Sequence, residues 1–297
     1  VSVATGDLVE HGALRVVAAQ GWPGSALAVS PDGAWAAVAL PGRVVVSRLP
    51  GLDSVREIAV SDVRSMAAVG PDRLALAPRR GLLVIDDPVG VARVGLRSRA
   101  PGRLVLSAGH GGRLAAVGDR AALPRATVVA RSDAARRRDW TAAVEGAAAA
   151  AWLDDGDLAV AAGADLVLVR AGEEHARAPS PLGERITAVA SIPGGVVIAG
   201  RGDRAMIHAV LPGAARPSLE VHPGTARALA VADGLLVVSS RSLGERVTVH
   251  DLATGERRAS LRGVALGAPG PGIVVATGRE GTVVLAPRRG ISPAFGE

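Results

Sequence analysis

Gly200-Arg201-Gly202-Asp203-Arg204-Ala205 has the G-x-G-x-x-A spacing with which a strand-to-helix turn cradles a pyrophosphate. That chemistry needs a helix to receive the phosphate at its N-terminus. Here the glycines fall in a polar turn between two short apolar runs, so the segment reads as a hairpin tip. The enclosed Arg201-Gly202-Asp203 is an integrin-binding tripeptide in secreted proteins, and the same hairpin reading covers it. A P-loop requires its lysine, and the chain contains none. With no cysteine there is no disulfide, Cys-based zinc site or iron–sulfur ligation.

Asp154-Asp155-Gly156-Asp157 gathers carboxylates that would suit calcium, but an EF-type loop is far longer. The stretch reads as a solvated turn, as does Asp86-Asp87. His208 and His250 fall at equivalent points of successive units, which suits a packing role better than a zinc site. His11, His110, His175 and His222 are read as loop residues without a shared spacing. A Ser-His-Asp triad assembles in space and leaves no local mark, but the nucleophile-elbow motif G-x-S-x-G is absent. No catalytic, cofactor-binding or metal-binding residue is assigned, and no cofactor is expected.

The elements that carry these residues repeat. Short apolar runs begin at Trp35, Leu74, Leu114, Leu158, Val196, Leu235 and Ile273, about 40 residues apart. A Gly- or Asp-containing turn precedes each, as in Pro31-Asp32-Gly33, Asp155-Gly156-Asp157 and Pro193-Gly194-Gly195. A polar hairpin and a second run follow, as in Val44-Val45-Val46 and Val247-Thr248-Val249. A weaker strand flanks each pair on either side. Runs this short, rich in Val, Ile and Leu and bracketed by Gly, Pro and Asp, are strands. Four strands per unit, which we label a to d, predict an all-β, seven-bladed β-propeller. The predicted blades span 24–60, 61–99, 100–142, 143–179, 180–221, 222–262 and 263–290 of one domain, 1–297. The last unit lacks a fourth strand. Leu14-Arg15-Val16-Val17-Ala18 is a spare strand that would close it, with Val16 and Val17 beside Val283 and Val284, leaving no open edge there.

Two segments carry a family likeness. Ser30-Pro31-Asp32-Gly33 resembles the strand a–b turn of WD-repeat propellers. His250-Asp251-Leu252-Ala253-Thr254-Gly255-Glu256 is similar to the end of a WD repeat, with His250 in place of the tryptophan. The resemblance is to a divergent, bacterial-type member without the Trp-Asp dipeptide. It implies scaffolding and recognition, often within a larger regulatory protein.

Strands a to d also sort the loops onto two faces. The b–c hairpins, on the top face, carry Arg43, Arg80, Arg204, Arg246 and Arg279 from five different blades. The d–a loops add Arg64, Arg97, Arg99, Arg103, Arg185, Arg227 and Arg262 to that face. The a–b and c–d connections below hold most acids, among them Asp32, Asp154, Asp157, Glu173, Glu174, Asp233 and Asp251. The net charge is +6. This layout predicts a non-catalytic interaction scaffold or sensor that binds an acidic protein partner through the five hairpin arginines. The alternative is a hydrolase or lactonase acting on a small molecule in the central channel. Nucleic acid is disfavoured because Trp22 is the one loop aromatic available for base stacking. No apolar run reaches the roughly 18 residues of a membrane span. The segment Val1–Gly6 has no basic or apolar leader character, so a cytoplasmic location is expected. A start at Val1 rather than Met suits a processed protein or a domain cut from a longer one.

Overall fold

The structure is a computed structural model that describes residues 9–12, 14–79, 81–98, 103–109, 112–119, 126–131, 140–200, 204–209, 215–220, 226–240, 246–262, 264–279 and 281–287. Two strands come first, β1 (Val9–Gly12) and β2 (Leu14–Gln20). One sheet then holds β3 (Ala26–Val29), β4 (Trp35–Leu40), β5 (Arg43–Arg48) and β6 (Asp53–Ile58). The next holds β7 (Ser65–Ala68), β8 (Arg73–Ala77), β9 (Leu82–Asp86) and β10 (Arg93–Ser98). A third comprises β11 (Arg103–Gly109), β12 (Arg113–Asp119), β13 (Ala126–Arg131) and β14 (Trp140–Val144). The fourth comprises β15 (Ala147–Trp152), β16 (Leu158–Ala162), β17 (Asp165–Arg170) and β18 (Glu173–Pro179). The fifth is β19 (Ile186–Ile192), β20 (Gly195–Gly200), β21 (Arg204–Ala209) and β22 (Ala215–Glu220). After it come β23 (Ala226–Ala232), β24 (Leu235–Ser240), β25 (Arg246–Asp251) and β26 (Arg257–Arg262). The last three strands are β27 (Val264–Gly270), β28 (Ile273–Gly278) and β29 (Thr282–Pro287), and β2 pairs beside β29.

All pairings are antiparallel between chain neighbours, apart from those of β1 and β2. The first strands of successive sheets touch in turn, and β27 touches β3, so the sheets form a ring. This is a β-propeller.

The expected set of uniform four-stranded blades is corrected. The sheet of β23 to β26 carries a fifth strand, because β1 pairs with the outer edge of β26, Val9 opposite Leu261 and Gly12 opposite Ala259. Val9-Glu10-His11-Gly12 has no apolar alternation, so nothing in its pattern announces a strand. Its pairing meets the unfilled backbone groups of an edge. The register of β2 is corrected as well. Val16 lies opposite Leu285, a bulge falls at Val17, and Ala18 and Ala19 face Val284 and Val283. The bulge turns Val17 outward, where it is 38% exposed. In addition, Ala143 and Val144, placed by the repeat in the fourth unit, belong to β14 of the third sheet.

The burial pattern explains why the second strand of each unit lacks alternation. Every residue of β4, β16 and β20 is buried. Each of these strands has a sheet stacked on both of its faces, so no solvated face is left for polar residues to occupy. The outermost strands differ: all of β18 is exposed, and it reads Glu-Glu-His-Ala-Arg-Ala-Pro, a charged edge that resists pairing with another chain.

An apolar cluster fills each junction between neighbouring sheets. Trp35, Val44 and Val46 meet Leu74, Leu76 and Ile85 at one junction. Val197 and Ala199 meet Leu236 and Val238 at another. Ala36 and Leu52 meet Val275 and Val284 where the last sheet joins the β3 sheet. Hydrogen bonds cross the same junctions. The Trp35 indole donates to the Pro71 carbonyl at 2.6 Å, and the Thr282 hydroxyl donates to the Trp22 carbonyl at 3.0 Å.

Closure therefore depends on β2, whose Leu14 is buried among Val247, Leu261 and Leu285, while β1 only covers an edge. Removing residues 1–12 should leave the thermal midpoint within a few degrees. Leu14→Ala should cost about 2–4 kcal/mol in urea unfolding, the usual cost of a buried leucine. Equal losses from the two changes would contradict this division of roles.

Candidate functional site

The first strand of every sheet lines a central channel of about 690 Å³. Its wall is mostly alanine and valine, including Ala28, Ala67, Ala150, Ala190 and Ala230. Small side chains are required there, because seven inner strands converge on one axis. Ser107 and Ser191 are hydroxyls further along the wall, and Ser65 follows Arg64 at its top. Among the described residues no Asp, Glu or His lines the channel.

The mouth is different. Each first strand runs away from the end where the d–a loops and b–c hairpins lie, so its first residues ring the top opening. Ser25, Arg64, Thr187 and Arg227 line the channel at these positions. They are equivalent by pairing. Thr187 is bulged between Ile186 and Ala188, and Arg227 between Ala226 and Ala228. Ser25 and Arg64 donate their backbone N–H groups to the Ala39 and Ala77 carbonyls, beside Ala26 and Ser65, which pair with the same residues. The Ser25 hydroxyl is turned to the Ala39 and Val63 carbonyls, and that of Thr187 to the Ala199 and Gly200 carbonyls. The arginines are exposed.

Of the five hairpin arginines, Arg279 is exposed and Arg246 is half-buried at the start of β25. Arg43 opens β5 and pairs with Glu57 at 3.4 Å across the surface, a contact between half-exposed groups that contributes little. Arg80 lies outside the described residues. Arg204 begins β21, but its side chain is outside them too. The hairpin tip Arg201-Gly202-Asp203 is likewise outside, as are His110 and His222.

On the opposite face the carboxylates turn out to be structural. Asp157 is buried and accepts two hydrogen bonds from Arg170, each 2.7 Å, with His175 Nε2 3.4 Å away. Asp154 accepts from the Gly194 N–H of the next sheet's turn at 3.4 Å, and Asp233 does the same for Gly272 at 2.9 Å. The solvated-turn reading holds for Asp154 and Asp155, which are exposed, and is corrected for the buried Asp157. His175, read as a loop residue, lies in β18. Gly156 holds the turn open at φ +92°, where a side chain would be strained. Among the described residues no group of three or more potential metal ligands occurs.

The His250–Glu256 segment is also a built turn. His250 is buried, its Nε2 beside the Thr248 hydroxyl at 3.0 Å and its Nδ1 beside the Gly255 carbonyl at 3.3 Å. Both partners belong to its own strand and turn. Asp251 accepts from the N–H groups of Ala253 and Thr254, from the Thr254 hydroxyl and from Arg258. Burial alone would raise its pKa, but these four donors together hold it below the ordinary aspartate value. The Arg177 guanidinium does the same for Glu174.

No known protein family profile matches the chain, and no curated protein does. No helix among the described residues is long and apolar enough to cross a membrane.

Asp251 and Glu174 are depressed in the folded chain, so their contribution is complete above the ordinary carboxylate values of 3.8 and 4.5 and is lost as pH falls through the folded values. The thermal midpoint should fall below about pH 4.5. Asp251→Asn should lower stability at pH 7 by about 0.5–1.5 kcal/mol and flatten the acid limb. An unchanged acid limb in this variant would show that the turn carries no acid sensitivity.

Proposed function

We propose that this propeller is a non-catalytic interaction module that binds an acidic protein partner through its top face. The fold itself suits a scaffold, since a rigid ring presents loops from every blade on one surface. The observation that carries the reading is the contrast between the two ends of the ring. Acids of the lower face, Asp154, Asp157, Asp233 and Asp251, are engaged in holding turns and junctions together. Arg64, Arg227 and Arg279 stand exposed on the upper one. Guanidinium groups on a shared face favour carboxylate-rich partners and steer their approach.

The channel wall argues against a hydrolase or lactonase at that position. Acid–base chemistry needs a carboxylate or imidazole within reach of substrate, and the described lining supplies neither. Kinship with WD-repeat propellers rests on the Ser30–Gly33 and His250–Glu256 turns. Both are hydrogen-bonded as tight turns, through the Ser30 hydroxyl and the Asp251 carboxylate.

Reversing Arg246 and Arg279 together to Glu should weaken capture of the native partner by well over tenfold, since charge-assisted contacts are worth roughly 1.5–3 kcal/mol each. Reversing Glu173, on the lower face, should change it little. Affinity should also fall as salt rises. Equal losses from the two faces, or binding indifferent to salt, would overturn the reading.

A further inference from the structure

We propose that the channel mouth is a binding site for a small multivalent oxyanion, a polycarboxylate or oligophosphate, bridged between Arg64 and Arg227. Arg64 and Arg227 share the upper face with the hairpin tips, and small-anion binding is measured without the protein partner, so this inference and the partner-binding reading fail separately.

The two arginines hold corresponding places at the start of the first strand of their sheets. Arg227 is bulged between Ala226 and Ala228, and Arg64 directly precedes β7, its N–H on the Ala77 carbonyl that also faces Ser65. Across the ring this position is filled by Ser25, Arg64, Ala148, Thr187 and Arg227, all of which line the channel. Two of the five are guanidiniums. They come from the β7 and β23 sheets, which are separated by two sheets one way and three the other, so they approach the mouth from nearly opposite sides. Among the described residues neither arginine has an ion-pair partner. Asp62 and Glu184 lie in the loops leading to β7 and β19, but neither lines the channel. Two like charges therefore share an opening in whose described lining no carboxylate occurs.

An anion that touches both groups gains a charge-assisted contact from each. The wall around it is Ala and Val, a low-dielectric surround that concentrates the field of the two guanidiniums. The mouth opens on the channel of about 690 Å³. A single carboxylate can meet only one arginine at a time, whereas an anion with two or more oxyanion groups can meet both, and each guanidinium can bind its group bidentately. The lining carries no acid–base pair, so the ligand is held and not turned over.

Calorimetric titration at low ionic strength with citrate, tripolyphosphate and acetate tests this. One equivalent of citrate or tripolyphosphate should bind and raise the thermal midpoint, as a ligand of the folded state must. Whichever of the two binds identifies carboxylate or phosphate as the preferred group. Acetate should bind at least tenfold more weakly. Arg64→Ala and Arg227→Ala, both at exposed positions, should each weaken binding tenfold or more. Arg43→Ala and Arg279→Ala should leave it within twofold. The proposal is overturned if neither multivalent probe binds, if acetate matches them, if only one of the two mouth arginines matters, or if the hairpin-tip variants lose as much as the mouth variants.

Discussion

The molecule depends on the burial of small apolar side chains between neighbouring sheets. Each middle strand is covered on both faces, as β4, β16 and β20 show, so no sheet can be stable alone. Neighbours must stack, and the stack must return to its start or leave an apolar face in water. The junction of Ala36 and Leu52 with Val275 and Val284 is where it returns. The pairing of β2 with β29 ties the two ends of the chain together at that point.

Closure fixes where polar groups can go. Inner strands converge, so their channel-facing side chains are small, and most of the wall is alanine or valine. Charged groups are displaced to the two rims. On the lower rim they are absorbed into architecture: Asp157 with Arg170 inside one sheet, Asp154 and Asp233 across junctions. On the upper rim, Arg64 and Arg227 stand at the start of the first strands of their sheets and line the mouth.

The all-β repeat was legible in the sequence because apolar runs about 40 residues apart, each behind a Gly or Asp turn, have few other solutions. The spare strand before Trp22 was legible for the same reason, since Leu14-Arg15-Val16-Val17 carries the apolar pattern of the other strands. The strand β1 was not, because Val9-Glu10-His11-Gly12 has no apolar alternation, and its pairing with β26 is a matter of backbone register. Nor was the bulge at Val17, since a bulge is a property of two strands together and the sequence displays one at a time. The arginines of the mouth could be assigned to the upper face from loop position. That Arg64 and Arg227 line the channel, while Arg43 lies across the surface against Glu57, depends on how each first strand pairs at its start and could not be read from spacing. Likewise Asp157 looked like one of three turn acids; its burial follows from Arg170, thirteen residues away and on a different strand.

The central claim is that β2 completes the ring as an integral strand. Amide hydrogen exchange resolved by residue tests it most directly. If the account holds, the paired amides of residues 14–20 exchange as slowly as those of β28 and β29, by opening of the whole fold. If they exchange at the rate of a free chain while β28 and β29 stay protected, the N-terminal strand is not part of the ring and the account is wrong.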